Sequence, residues 1–299
     1  MKVSEINRVS EETVELFREG NFDTVKLIGK EQKVNGTTIT FLGDKKYIES
    51  FLNTPTDCVI CTEEIAQIIG EKYNGGIAYS SNPKTSFFEV HNYLAEKSKV
   101  IKENEIASSA IVHPNAIIED YNIMIGENTI ICANAVIKSG TIIGNDCVLR
   151  EGVIVGTPGF YYFGEGEKKK LVMSTGRVCI GNNVELHPKT IIEKGVLYGD
   201  TIIGDNTKID NLTLIGHDSN IGSDCIIAGN TTFAGGVEFG NGAFAGVGVS
   251  VAPYVKIGEF AKLSSGAVVT QNVNANSHVS GNFAVEHSKY IKHIKEISK

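Results

Sequence analysis

The sequence predicts a mainly β protein whose greater part, residues 106–273, winds as a parallel β-helix. Three observations predict it. An aliphatic residue recurs every six positions, a second small or β-branched residue follows each of these anchors by four, and glycine very often stands directly after the anchor.

The clearest run is Ile125, Ile131, Ile137, Ile143, Leu149 and Val155. After an interruption the period resumes at Ile180, Leu186 and Ile192, slips by one at Leu197, and continues from Ile203 through Ile209, Ile215, Ile221, Ile227, Phe233 and Phe239 to Val269. Weaker copies open at Ile106, Val112 and Ile118. The second inward position is filled by residues such as Thr207, Thr213, Ser219, Cys225, Thr231 and Val237, and the glycines include Gly126, Gly144, Gly204, Gly216 and Gly240. A period of six fits neither an α-helix nor a flat amphipathic strand. Three hexads make one triangular coil of about eighteen residues, stacked in parallel on the next at about 4.8 Å, so roughly eight coils form a prism about 40 Å tall.

The remaining chain lacks the period. Residues 1–104 read as an α/β domain: Ser10–Phe17 as a short helix, Thr37–Leu42 and Asp57–Cys61 as strands, and Asn82-Pro83 as a turn before an amphipathic segment at residues 86–95. The β-helix occupies residues 105–275 and extrudes a Gly- and aromatic-rich insertion at 157–178, the largest departure from the repeat and the natural place for a ligand or subunit boundary. Residues 276–299 form a helical tail with Ile291, Ile294 and Ile297 on one face, expected to cap the prism. Its lysines, Lys289, Lys292, Lys295 and Lys299, face solvent or an acidic carrier protein.

Composition narrows the function. The 299 residues carry a formal charge of -7, and no basic run exceeds Lys168–Lys170, which argues against nucleic acid or an anionic membrane as main partner. Charges stand where a signal peptide would have its apolar core, and no run approaches the roughly 18 apolar residues of a membrane span, so a cytoplasmic location is expected. Of six cysteines only Cys58 and Cys61 form a C-x-x-C, within an alternating run that reads as a buried strand rather than a redox pair.

Several local sequences add a resemblance. They are Thr40-Phe-Leu-Gly-Asp-Lys-Lys-Tyr47, Asn82-Pro83 before an apolar helix, the Gly159-Phe160 loop ending at Gly176-Arg177, and Ile209-Asp210-Asn211 before Ile215-Gly-His-Asp-Ser-Asn-Ile-Gly222. In this order and over nearly the whole length they resemble the UDP-3-O-(3-hydroxyacyl)glucosamine N-acyltransferases of lipid A and lipopolysaccharide biosynthesis. The resemblance implies a homotrimer with a uridine-binding N-terminal domain, a left-handed β-helix and a C-terminal helix. It implies acyl transfer from an acyl carrier protein or coenzyme A thioester to the amine of a nucleotide-linked amino sugar, with no bound cofactor or metal. Phe41 and Tyr47 take the place of the aromatics that sandwich uracil. Asp44 stands where the family has Asn, and Phe160, Arg177, Asp210 and Asn211 fall among its substrate-binding landmarks. Tyr254 replaces the family's second active-site His, and Ser264–Val268 replaces a Met-bearing segment. Both departures keep a small-acyl enzyme acting on UDP- or dTDP-linked amino-dideoxy sugars as an alternative.

The chemistry needs a base for the amine and donors for a tetrahedral oxyanion. His217, two residues past the inward Ile215, is the expected base, and Asp218 beside it orients the ring. The residue eighteen positions on from His217 is Gly235, one coil away, whose N–H is the expected oxyanion donor; its plainer role is that of a corner glycine needed for backbone angles. Two competing classes are a three-histidine zinc lyase at a subunit boundary, for which only His217 lies suitably, and a nucleotide-sugar-binding scaffold without catalysis.

Overall fold

The fold comes from a computed structural model that describes residues 1–28, 35–197, 199–281 and 284–297, without the side chains of residues 168 and 297. The expectations for the side chains of Lys168 and Ile297, and for Asn282 and Lys299, lie outside the described residues.

The chain opens with a five-stranded sheet formed by β1 (Val14–Arg18), β2 (Thr24–Val25), β3 (Thr38–Leu42), β4 (Cys58–Cys61) and β5 (Gly76–Ser80) in the order β1-β5-β4-β3-β2. β1 is antiparallel to β5 and the other pairs are parallel. Three helices accompany it: α1 (Ile48–Leu52), α2 (Glu63–Ile69) and α3 (Pro83–Lys97). Alternation along β4 sends Cys58 and Ile60 into a cluster with Phe87, Phe88 and Val90 of α3, and Val59 and Cys61 into one with Ile65, Ala66 and Ile69 of α2. The two cysteines thus project from opposite faces, and burial pushes their thiols up to about 11 and about 12. They are strand residues. α3 begins where the sequence places its turn: the Asn82 side chain accepts the Thr85 N–H at 3.2 Å, and Pro83 occupies the first helical position.

The helix expected over residues 10–17 is not formed; this stretch runs into β1. Asn7 decides the matter, donating to the Val14 carbonyl at 2.5 Å and accepting its N–H at 2.8 Å, which leaves the following residues extended beside β5.

From residue 105 the chain coils into three parallel sheets of nine, eight and eight strands among the described residues. Most strands have two residues, one outward and one buried. The register stacks Ile209, Ile227, Ala245 and Leu263 in one inward row, each 18 residues from the next. Thr129 and Thr207, at the second inward position, are fully buried, and each donates its hydroxyl at 2.8 Å to a corner carbonyl, that of Gly144 or Gly222. Many corner residues have positive φ, which explains the many Asn, Asp and Gly there.

Two insertions break the coil. The step from Ile130 to Val148 is 18 residues, but that from Val148 to Glu185 is 37, because the segment after Thr157 leaves the prism. The step from Arg177 to Asp200 is 23, which reveals a second, five-residue insertion. The slip expected at Leu197 is this insertion. Ile192 and Ile203 are the true rungs, and Leu197 is buried with Val196 in the N-terminal cluster.

The first insertion forms a hairpin, Tyr162–Phe163 against Lys170–Leu171, gripped by α3. Asn92 donates to the Leu171 carbonyl at 2.9 Å and accepts the Met173 N–H at 2.8 Å, while His91 Nε2 lies 2.8 Å from the Met173 carbonyl. A buried carboxylate, Glu89, meets Lys170 at 2.8 Å.

The tail forms α4 (His287–Ile297), as expected, but Tyr290 and Ile291 on its apolar side remain exposed, so it does not cap the prism within one chain. That row is already closed by His278–Val279 pairing with Lys262–Leu263. Among the described residues no helix is long and apolar enough to cross a membrane.

Candidate active site

Strand Leu214–Ile215 sends Ile215 inward, and the chain turns outward through Gly216, where a Cβ would lie 2.7 Å from backbone atoms of Ala234 and Gly235. His217 follows at the corner. Because Ile192, Ile215 and Phe233 are in register, Lys194 and Gly235 stand one coil to either side of it.

The imidazole Nδ1 lies 2.8 Å from Asp218 Oδ2. With Nδ1 donating, Nε2 keeps its lone pair, as a base requires. Asp218 is itself fixed: its φ is 59°, its N–H donates to Thr201 Oγ1 at 2.9 Å, and its Oδ1 accepts the Val196 N–H at 3.2 Å. The short insertion carrying Val196 therefore supports the carboxylate.

The ring is held between two glycines. A Cβ on Gly235 would lie 2.5 Å from His217 Cε1 and 2.6 Å from Nε2, and one on Gly159 would lie 2.7 Å from His217 Cβ. Gly235 lacks the positive φ of Gly236, so space for the imidazole, not backbone angle, demands glycine there. With Gly159 on one side His217 is only 8% exposed.

The Gly235 N–H is bare. At comparable corners this amide is capped by a side chain one coil on, as when Glu127 donates to Asn145 Oδ1 at 2.8 Å and Ser223 to Asn241 Oδ1 at 2.9 Å. For Gly235 that residue is Pro253, which offers no acceptor, and among the described residues the amide donates to no protein atom.

Tyr254 lies in the same place, with φ of 61° and its ring over Gly236. Burial, then the Asp218 charge, raises its phenol. Two residues the sequence reading missed complete the site. Tyr161 stands edge-on to His217 at 5.9 Å. Glu193 accepts the His217 N–H at 3.1 Å and that of Phe160, and burial pushes its carboxyl up. A carboxylate directly after an anchor, where glycine is usual, was its available signal. Tyr161 had none.

The other expected residues are more dispersed. Phe41 is partly buried, 5.0 Å from Phe87 and 6.2 Å from Phe88. Tyr47 is exposed, with Lys46 4.9 Å from its ring centre. Asp44 accepts the Lys46 N–H at 3.0 Å and pairs with its ammonium at 2.9 Å, which holds the carboxyl low. Phe160 is 82% exposed and packs on Tyr162, not on the imidazole. Arg177 forks onto Asp200 at 3.1 and 2.7 Å. Asp210 accepts the Gly229 N–H at 3.1 Å and the Asn211 carbonyl accepts that of Asn230 at 2.9 Å; both residues leave a different sheet row from His217 and occupy another corner. One chain thus unites His217, Asp218, Gly235 and Tyr254, and leaves Asp210 and Asn211 apart from them. Among the described residues no three His, Cys, Asp or Glu side chains form a group placed to hold a metal.

Fold and repeat define a parallel β-helix of the hexapeptide class: residues 122–157 and 200–235 match the bacterial transferase hexapeptide (six repeats) family. Within that class the chain resembles curated UDP-3-O-acylglucosamine N-acyltransferases. It is 45% identical to that of Dechloromonas aromatica over 64 residues, 21% of this chain and 18% of that protein. It is 25% identical to that of Leptothrix cholodnii over 223 residues, 64% of each. The chain therefore spans less than two thirds of the length of either relative. Among solved structures, an Arabidopsis UDP-N-acetylglucosamine acyltransferase matches with a TM-score of 0.43 and 28% identity, over 59% of this chain and 71% of that one.

Proposed function

We propose that this protein is a sugar-nucleotide N-acyltransferase, moving an acyl group from an acyl carrier protein or coenzyme A thioester to the amine of a nucleotide-linked amino sugar. The single observation that carries the reading is the pairing of an Asp-oriented imidazole with a bare amide one coil away, in a chain similar to enzymes of that name. His217 Nε2 takes the proton from the attacking amine as nitrogen bonds to the thioester carbonyl carbon. The Gly235 N–H stabilises the oxyanion, and collapse expels the thiolate. Asp218 stabilises the imidazolium, and Glu193 fixes the corner. Phe41 and Tyr47 hold the base, with Asp44 on its polar edge; Tyr254 borders the sugar or acyl carbonyl.

The remaining assignments belong to the same reading. Residues 1–104 form the nucleotide domain, the working unit is a cytoplasmic homotrimer, and Phe160, Arg177, Asp210 and Asn211 complete sites between subunits. The separation of the Asp210 corner from the His217 corner supports a second chain. The small-acyl alternative is favoured by one observation, the Tyr254 ring filling the space above Gly236.

The purified protein is incubated with acyl thioesters of varied length and UDP- or dTDP-amino sugars while free thiol is followed. His217→Ala is expected to abolish turnover; full activity in that variant defeats the mechanism. Tight nucleotide-sugar binding without turnover for any donor favours a scaffold.

A further inference from the structure

We propose that Tyr161 is a substrate-contacting residue, its phenol hydroxyl hydrogen-bonding the acceptor sugar; this rests on the acyl transfer proposed above. The ring stands edge-on to the His217 imidazole at 5.9 Å and an interplanar angle of 84°. On its other side it lies 5.5 Å from Phe88, which is 6.2 Å from Phe41. A series of rings therefore leads from the strand of the candidate base pocket to the base nitrogen. An acceptor whose amine reaches Nε2 meets Tyr161, the half-buried ring beside the imidazole, while Phe88 behind it is fully buried.

Tyr161 lies near two other site groups. Both the Tyr254 phenol and the Asp218 carboxylate act electrostatically on it. Burial, the larger effect, also raises its phenol, so the hydroxyl stays neutral and serves as a hydrogen-bonding group rather than a base. The ring cannot swing freely: Lys84 of α3 lies 5.9 Å from its centre, and Tyr161 packs against the N-terminal cluster. Neighbouring Phe160 and Tyr162 differ. They meet edge-to-face at 5.1 Å and are 82% and 47% exposed, and Tyr162 supplies a control.

The test uses the full-length protein and three variants, Tyr161→Phe, Tyr161→Ala and Tyr162→Phe. Acceptor binding is measured by calorimetry, and acceptor KM, donor KM and kcat by thiol release. Tyr161→Phe keeps the packing and removes only the hydroxyl. It should weaken acceptor binding and raise acceptor KM about tenfold, the worth of one hydrogen bond, with kcat and donor KM within about threefold and an unchanged melting temperature. Tyr161→Ala should also lower kcat, and Tyr162→Phe should match wild type. An active wild type with Tyr161→Phe equal to it in acceptor Kd and KM overturns this inference alone. A loss in Tyr161→Phe confined to kcat or donor KM overturns it too. A wild type that neither binds nor acylates any nucleotide-linked amino sugar overturns the proposed function, and this inference with it.

Discussion

Gly235→Ala places one methyl group against the imidazole. The added carbon would lie 2.5 Å from Cε1 and 2.6 Å from Nε2, whereas carbon contacts need roughly 3.5 Å, so the ring must retreat by about 1 Å. Gly159 abuts the far side and limits that retreat. A misplacement near 1 Å costs about a hundredfold in rate, or about 2.7 kcal/mol of barrier. We therefore expect kcat to fall about a hundredfold while melting shifts little, since the Gly235 φ is not in the left-handed region. Gly248→Ala is the matched control. Its φ of +71° makes alanine cost about 1–2 kcal/mol of stability, but no atom lies within 4 Å of the new carbon and kcat should hold. Thiol-release kinetics and thermal unfolding of both variants decide the matter. If Gly235→Ala keeps kcat within about threefold of wild type, the clamped-imidazole argument is wrong.

Three further outcomes follow from the geometry. Asp218→Asn removes the charge that orients Nδ1 and should lower kcat by at least about a hundredfold with acceptor KM little changed, read from steady-state rates. Tyr47→Ala should weaken binding of the bare nucleotide by roughly 5- to 150-fold, the span of one base-stacking contact of about 1–3 kcal/mol, read by calorimetry. Burial depresses His91 from an ordinary 6.5 to about 4. The unfolded chain thus takes up a proton at higher pH than the folded one, so this contribution is complete above about pH 7 and is lost as pH falls toward 4, about 2 kcal/mol of it by pH 5. Urea unfolding of wild type and His91→Gln at pH 7 and pH 5 should show a flatter pH response in the variant; parallel responses would contradict the assignment.

The prism was legible because every coil must fill the same interior, so Ile209, Ile227 and Leu263 print the period directly onto the sequence. His217 and Gly235 were legible for the same reason, since the coil length converts sequence spacing into neighbourhood. Where contacts are distant and aperiodic the signal fails. Residues 10–17 carry a helix-like opening, yet Asn7 and the free edge of β5 draw them into a strand. Leu197 looks like a slipped rung because it is apolar, but it serves the N-terminal cluster across a short insertion. Tyr161 reaches the imidazole only because α3, some seventy residues earlier, seizes its hairpin.

Beside the Glu89–Lys170 ion pair, that grip acts on main-chain atoms: Asn92 and His91 reach the carbonyls of Leu171 and Met173 and the amide of Met173. The path of the roof over the imidazole is therefore set from outside, and these contacts ask nothing of its own side chains. The exposed aromatics of that segment, Phe160 and Tyr162, can be exchanged while its course is kept, whereas Phe163 is buried against α3. A lineage can thus retune which acceptor is admitted without rebuilding the machinery beneath.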